Sequence, residues 1–370
     1  MSASQPHRLV QFWDRYARQI SIVTLVSGFC FDLILAKRPD SLYDNALLVT
    51  YLVVTATAIV LLNLRAHSVR EVSGERPLAL LLILQFCFGG LAGNLLILYG
   101  KSGTLGGSLL FILMLFGMII GNEILKDRYA QASFNIAVYY LLLLTYCIIA
   151  VPTFILHTIG VQVFLISGGI SLAVMTFFFL ILRTTTGIFV GDAGLRRRRQ
   201  MRAIVIGIFA FFTALYFLNI IPPVPLALKD IGIYHLVVRD SSDNYVGTYE
   251  AAPWWEFWRG SSGTYTMTAS SGTTAYCFSS VFAPTNLSTP IRHRWEYYNP
   301  ATGAWETTAI VSFPITGGLA TGYHGYSQKA LFAPGEWRCD VETGGGQLIG
   351  RVSFTAAESS VPPVLVSKKL

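Results

Sequence analysis

Long stretches of this chain contain no Asp, Glu, Lys or Arg: 19–31, 45–64, 77–100, 102–122, 129–182 and 203–228. A helix needs about 20 apolar residues to cross a bilayer. In hydrocarbon every backbone group must be satisfied internally, which a helix does alone. The first run continues past Asp32 as apolar sequence to Ala36. The run 129–182 is too long for one span, and Pro152, His157 and Gly160 divide it into two. The expectation is a seven-helix transmembrane domain over 19–222. Only 13% of all residues are charged and the mean hydropathy is +0.54, against about 25% charged in soluble domains.

Basic residues orient the spans. Arg8, Arg15, Arg18, Arg65, Arg70, Arg76, Lys126, Arg128, Arg183, Arg196, Arg197, Arg198, Arg199 and Arg202 all fall on one side. Lys37, Arg38 and Lys101 fall on the other. The first side is cytoplasmic on this bias, and an odd number of spans sends the C-terminal part outside. The block Arg196 to Arg199 reads as a topology anchor in a short cytoplasmic loop, and no nucleic-acid partner is expected. Segment 1–18, with Phe12, Trp13 and Tyr16, reads as an interfacial helix.

Ionisable residues within or beside spans are candidates for function because burying them is costly. Asp32, Arg38, Asp40, Asp44 and Asn45 gather around the first outer loop, and His157 lies near the outer end of the fifth span. Such a cluster could hold a cation or act as a base. The same residues can pair or cap helices, with Asp44 as an N-cap. The glycines of "FGGLAG" and "SGGIS" suit close approach of helix backbones.

After the last span the pattern changes. A Pro-rich linker is expected over 223–230, an all-β, sandwich-like extracytoplasmic domain over 231–358, and a tail over 359–370. Nine strands are expected, at 232–239, 245–250, 264–269, 274–282, 290–298, 304–313, 324–332, 336–342 and 347–355, separated by turn residues. Trp254, Trp255, Phe257 and Trp258 form an aromatic group suited to headgroup depth, to a flat ligand or to the core. Cys277 and Cys339 both fall on strands of the outer domain and are expected to pair, whereas Cys30, Cys87 and Cys147 fall in spans.

The stretch "RHRWEYYNP" alternates as a strand does. Ile291, His293, Trp295 and Tyr297 point one way, Arg292, Arg294, Glu296 and Tyr298 the other. Arg294 and Glu296 are expected to pair on an exposed face, and Trp295 to pack near the cysteine pair. His293 is expected to bond a backbone carbonyl or Ser327. Were it to face a polar cavity beside Lys329, then His293, Ser327 and Lys329 would form a binding site.

Two function classes remain. One is a non-enzymatic envelope protein whose outer domain binds a protein, a glycan or a lipid headgroup. The other is a membrane enzyme or transporter acting on a lipid-linked substrate at the outer face. The absence of a nucleophile motif, metal spacing or phosphate loop favours the first. No catalytic set, metal or cofactor is expected, and the bilayer itself is the one partner the composition demands.

The stretches "IRHRWEYYNPATGAW" and "GYHGYSQKALFAPGEWRCDVETGGGQLIGRVSF" resemble a bacterial family, domain of unknown function 2914. The similarity rests on His293, Arg294 and Trp295, on Ser327 and Lys329, on Gly335 and Trp337, and on Gly350. "RPDSLYDNALLVTYL", "FCFGGLAGNLLILYGKSGTL" and "IIGNEILKDRY" resemble the membrane part of longer members. The resemblance implies a bacterial inner-membrane protein with a periplasmic β-domain and no known reaction. The two outer-domain cysteines depart from the family pattern.

Overall fold

A computed structural model describes residues 20, 23–31, 41–68, 78–101, 113, 132–186, 188–218, 220, 223, 225–241, 244–251, 263–268, 274–284, 287–317, 322–331 and 333–370. The chain forms two compact units. One is helical and the other is β-rich, and the β-rich unit takes in residues 155–160 and 219–370.

Five helices among the described residues are long and apolar enough to cross a membrane. They belong to α1 (Leu42–Ser68), α2 (Leu78–Lys101), α3 (Ala132–Ala150), α4 (Val161–Thr185) and α5 (Gly191–Phe217). Seven were expected. The first expected span is described mainly as a helical stretch over 23–31, and the fourth, 102–122, lies outside the described residues save Leu113. Most of α3 is buried, which makes it the central helix. Its Tyr146 hydroxyl donates to Asn45 Oδ1 of α1 at 2.5 Å, and Tyr140 meets Ser171 of α4 at 3.4 Å.

Glycine allows one helix pair to touch backbone to backbone. A Cβ at Gly89 would sit 2.3 Å from the Leu25 carbonyl oxygen, and one at Gly93 would sit 2.5 Å from the Phe29 ring. Gly89 and Gly93 are one turn apart on α2, the spacing that lets two helix axes approach closely.

Two boundaries differ from expectation. Pro152 does not end α3, because the chain passes through it in a wide π turn, Val151–Leu156. Termination comes at His157, whose φ of 53° is left-handed, the conformation that closes many helices. The Arg196–Arg199 block is helical rather than part of a loop, because α5 already starts at Gly191. Arginine is a good helix former, and Asp192 in the first turn suits the positive end of the helix dipole.

Among the described residues the β unit has eleven strands: β1 Ala227–Tyr234, β2 Leu236–Arg239, β3 Tyr245–Glu250, β4 Thr264–Met267, β5 Thr274–Phe282, β6 Ser288–Asn299, β7 Ala304–Thr316, β8 Tyr323–Ala330, β9 Gly335–Thr343, β10 Leu348–Glu358 and β11 Leu365–Lys369. They form a five-stranded sheet, β4-β10-β9-β6-β7, and two three-stranded sheets, β1-β5-β8 and β11-β3-β2. All pairings are antiparallel except β4 with β10.

The sheet β1-β5-β8 is the middle layer. On β5, Ala275, Cys277 and Val281 join the cores shared with the five-stranded sheet. Tyr276 and Phe278 point the other way, toward Val237 and Tyr245 of the third sheet. Strand β5 is thus buried on both faces, which explains its nearly continuous burial. Three layers replace the expected two. The linker and tail also differ. Strand β1 starts at Ala227, inside the expected linker, and residues 365–369 form β11 against β3 rather than a tail.

Candidate functional site in the disulfide-braced sandwich

Strand β6 lies between β7 and β9, and its register sets Trp295 opposite Cys339 and His293 opposite Val341. Strand β5 crosses in the middle sheet, with Cys277 opposite Ser327 of β8. Cys277 and Cys339 are disulfide-bonded across the two sheets, with Cα atoms 6.5 Å apart. Trp295, Trp337 and both cysteines share one core cluster and are fully buried.

His293 is fully buried in this core. Its Nε2 lies 2.8 Å from Ser279 Oγ and its Nδ1 lies 2.9 Å from Ser327 Oγ. The Trp295 indole N–H donates to the same Ser327 oxygen at 2.9 Å. Indole only donates, so Ser327 accepts from Trp295. The simplest assignment then has the Ser327 hydroxyl donating to Nδ1 and Nε2–H donating to Ser279. The neutral imidazole uses both nitrogens in this chain. Phe313 closes the pocket edge-on at 4.9 Å between ring centroids.

Burial pushes the His293 pKa down to about 3. A Ser–His pair at hydrogen-bond distance invites a nucleophile reading. A base this weak is poorly matched to neutral pH, and Ser279, like His293, is buried. Cys277, His293 and Cys339 also offer donor atoms within 4.8 Å of one another. With the sulfurs bonded to each other and both ring nitrogens occupied, the arrangement braces the core rather than presenting ligands.

Lys329 lies on β8 two residues beyond Ser327 and reaches the Thr308 carbonyl of β7 at 3.3 Å. Thr308 is the extra residue where the β6–β7 register shifts between Trp295 and Glu296. Its hydroxyl donates to the Trp295 carbonyl at 3.1 Å. Lys329 therefore ties together the adjoining edges of two sheets. A bulge and an inward-reaching lysine both blunt an edge strand against pairing with other chains.

The opposite face of the five-stranded sheet carries a charge ladder that sequence reading left as an exposed pair. Arg294 and Glu296 do not pair: Glu296 takes Arg338, directly opposite it on β9, and Arg294 reaches diagonally to Glu342. Arg294 bonds Glu342 at 2.9 Å, Arg338 bonds Glu296 at 2.5 Å, and Arg351 grips Asp340 through two bonds of 2.6 and 2.5 Å. Glu296, Asp340 and Glu342 are buried while the Arg294 and Arg351 side chains are 31% and 39% exposed. The face thus turns guanidinium groups outward over shielded carboxylates. Arg338 also lies 4.2 Å from the Trp305 ring centroid, a cation–π distance. Burial raises the Glu342 pKa despite the opposing Arg294. The signal was legible as period-two charges on β9, in Arg338, Asp340 and Glu342.

A second, partly buried group escaped sequence reading entirely. His235 sits where the chain leaves β1 in one sheet and enters β2 in another. Its Nε2 lies 2.8 Å from Glu250 Oε1, and its ring stacks on Tyr265 at 4.1 Å. Glu250 also accepts from the Thr266 backbone N–H and hydroxyl. Burial raises the Glu250 pKa, but the bonds from His235 and Thr266 outweigh it and hold it low.

Asp44 is not the N-cap of α1. Ser41 precedes the helix and accepts from the Asp44 N–H at 3.3 Å, placing Asp44 in the first turn. The His157 carbonyl accepts from the Ser288 N–H at 3.4 Å. Asp32, Arg38 and Asp40, and the aromatic group Trp254, Trp255, Phe257 and Trp258, lie outside the described residues.

These elements define a chain of apolar helices followed by a disulfide-braced, layered β domain. Residues 288–356, strands β6 to β10, match the family model described as "Protein of unknown function (DUF2914)". No curated protein matches the chain. Among solved structures, a Pseudomonas fluorescens alkylpurine DNA glycosylase, AlkC, bound to DNA with an abasic site analog, aligns at 10% identity. The alignment covers 87% of this chain and 99% of that one, but its TM-score of 0.19 carries no argument about fold or function.

Proposed function

We propose that this is a bacterial inner-membrane protein of seven spans, with its N-terminus cytoplasmic and its β domain periplasmic. The β domain acts without catalysis, as a binding module for an anionic envelope partner, whether protein, glycan or lipid headgroup. The observation that carries the reading is the face of the five-stranded sheet, which presents Arg294 and Arg351 outward over buried acids. Like charges in such a field steer anionic partners and repel cationic ones. The disulfide supports an oxidising compartment. The buried serine and histidine groups are occupied in structural bonds, which supports binding over turnover.

The test uses the full chain in native membranes. Arg292 lies on the same strand face as Arg294, opposite Glu342 in register. Wild type should retain an anionic component in a salt-sensitive manner, and Arg292→Glu should weaken that retention severalfold. Retention indifferent to both salt and this substitution, or turnover of a lipid-linked substrate, would refute the reading. Topology reporters at both ends supply a separate check, with the N-terminus expected inside and the β domain outside.

A further inference from the structure

Helices α4 and α5 follow one another in the chain and meet through side chains. At the end away from their connection, Phe164 stacks on Tyr216 with centroids 4.0 Å apart. A Cβ on Gly168 would meet the Phe209 ring at 2.3 Å, so a larger residue there would have to displace that ring. Toward the other end the pair encloses a cavity of about 270 Å³. Leu172, Met175 and Phe179 line its apolar wall, and Arg183, Arg198 and Arg202 line its mouth.

The three arginines come from two helices by simple spacing. Arg198 and Arg202 are four residues apart on α5 and so share a face, and Arg183 stands in the last turn of α4. Arg183 and Arg202 directly flank charge-free runs, 129–182 and 203–228, and Arg198 lies one turn before Arg202, the depth at which a bilayer passes from hydrocarbon to headgroups. Among the described residues no carboxylate lines the cavity. Among the described residues, none of the three arginines is in an ion pair. A cluster of cations above an apolar pocket is complementary to one amphiphile class, an anion carrying hydrocarbon.

We infer that the cavity between α4 and α5 binds an anionic phospholipid, with its phosphodiester held by Arg183, Arg198 and Arg202 and the start of its acyl chains against Leu172, Met175 and Phe179. The inference rests on the membrane-spanning reading proposed above. On that topology the lipid belongs to the cytoplasmic leaflet, where basic pockets between spans take anionic headgroups. The arginine block then has two parts. Arg198 lines the site, whereas Arg196, Arg197 and Arg199 do not.

That division supplies the test. The full chain is placed in nanodiscs of phosphatidylcholine containing phosphatidylglycerol, and retained lipid is counted by native mass spectrometry. Wild type should prefer phosphatidylglycerol. Each arginine held against the phosphodiester should change the preference by about fivefold, so Arg198→Gln with Arg202→Gln should reduce it by about 25-fold. Arg196→Gln with Arg197→Gln removes the same charge outside the cavity and should leave the preference within about twofold. Arg202→Lys keeps the charge and should restore most of the preference in a folded protein.

Equal losses from both double variants would overturn the site, since net charge would then suffice. So would a wild type with no preference, or displacement of the retained lipid by millimolar inorganic phosphate, which would mark a free-anion site. Failure of the parent reading is seen separately: a chain extracted from membranes by carbonate is not a spanning protein, whatever lipid it retains.

Discussion

His293 illustrates how a buried titratable residue couples a core to pH. Its folded pKa, about 3, lies below the ordinary value of 6.5, so protons bind the unfolded chain more readily. The stabilisation is complete above about pH 6.5 and drains as pH falls toward the folded value, at about 1.4 kcal/mol per unit. Unfolding of the β domain within the intact chain should therefore cost about 2 kcal/mol less at pH 5 than at pH 7.5. His293→Gln should lower stability at neutral pH yet flatten this dependence. Denaturant titrations at several pH values, followed by tryptophan fluorescence, decide the matter; an equally steep profile in the variant would assign the effect elsewhere. Glu250 acts in a different window, because its lowered pKa withdraws stability only below the ordinary carboxylate range.

At the scale of elements, the charge ladder predicts an asymmetry. Asp340 is buried while the Arg351 side chain is 39% exposed. Removing Arg351 strands a carboxylate that cannot reach water, at a cost of about 3 kcal/mol. Removing Asp340 leaves a guanidinium that can turn outward, at a cost of about 1 kcal/mol. Chemical denaturation of Arg351→Ala and Asp340→Ala should rank them in that order, and the reverse order would mean the acid is not shielded as described. The strands themselves were legible because β-branched and aromatic residues alternate with polar ones, and the cysteines showed which two strands face each other. Two strands were not. The span 232–239 reads as one strand, yet the chain changes sheets at His235, a choice made by partners far away in sequence. Strand β11 is exposed along its length, so it lacks the half-buried pattern that reveals a strand. The same physics hid the candidate sites. The Arg338–Glu296 contact follows from cross-strand register, and the cavity between α4 and α5 from which side chains two helices bring together. A one-dimensional pattern contains neither.

Across the whole molecule, the helical and β units are stabilised by different means. The helices depend on close packing, as at Gly89 and Gly93, and the β unit on layered burial braced by one covalent bridge. That bridge closes a sequence separation of 62 residues, worth about 4 kcal/mol in the chain-entropy account. Replacing both Cys277 and Cys339 with alanine should destabilise the β domain by about that much, and Trp295 and Trp337 beside the bridge provide the fluorescence signal. A loss under about 1 kcal/mol would place the unfolded-state constraint elsewhere.

Strand β11 carries a consequence for the order of assembly. The outer three-stranded layer needs β11 on β3, a pairing that joins Thr248 to Ser367 across 119 residues. Until synthesis reaches β11, that layer is only the β2–β3 hairpin, and a lone hairpin is marginal in water. Leu370, just past β11, packs against the cluster of Tyr234 and Phe278, so that cluster is completed only after β11 has been made. The outer layer is thus completed after the other two sheets, whose strands all precede β11 in the chain.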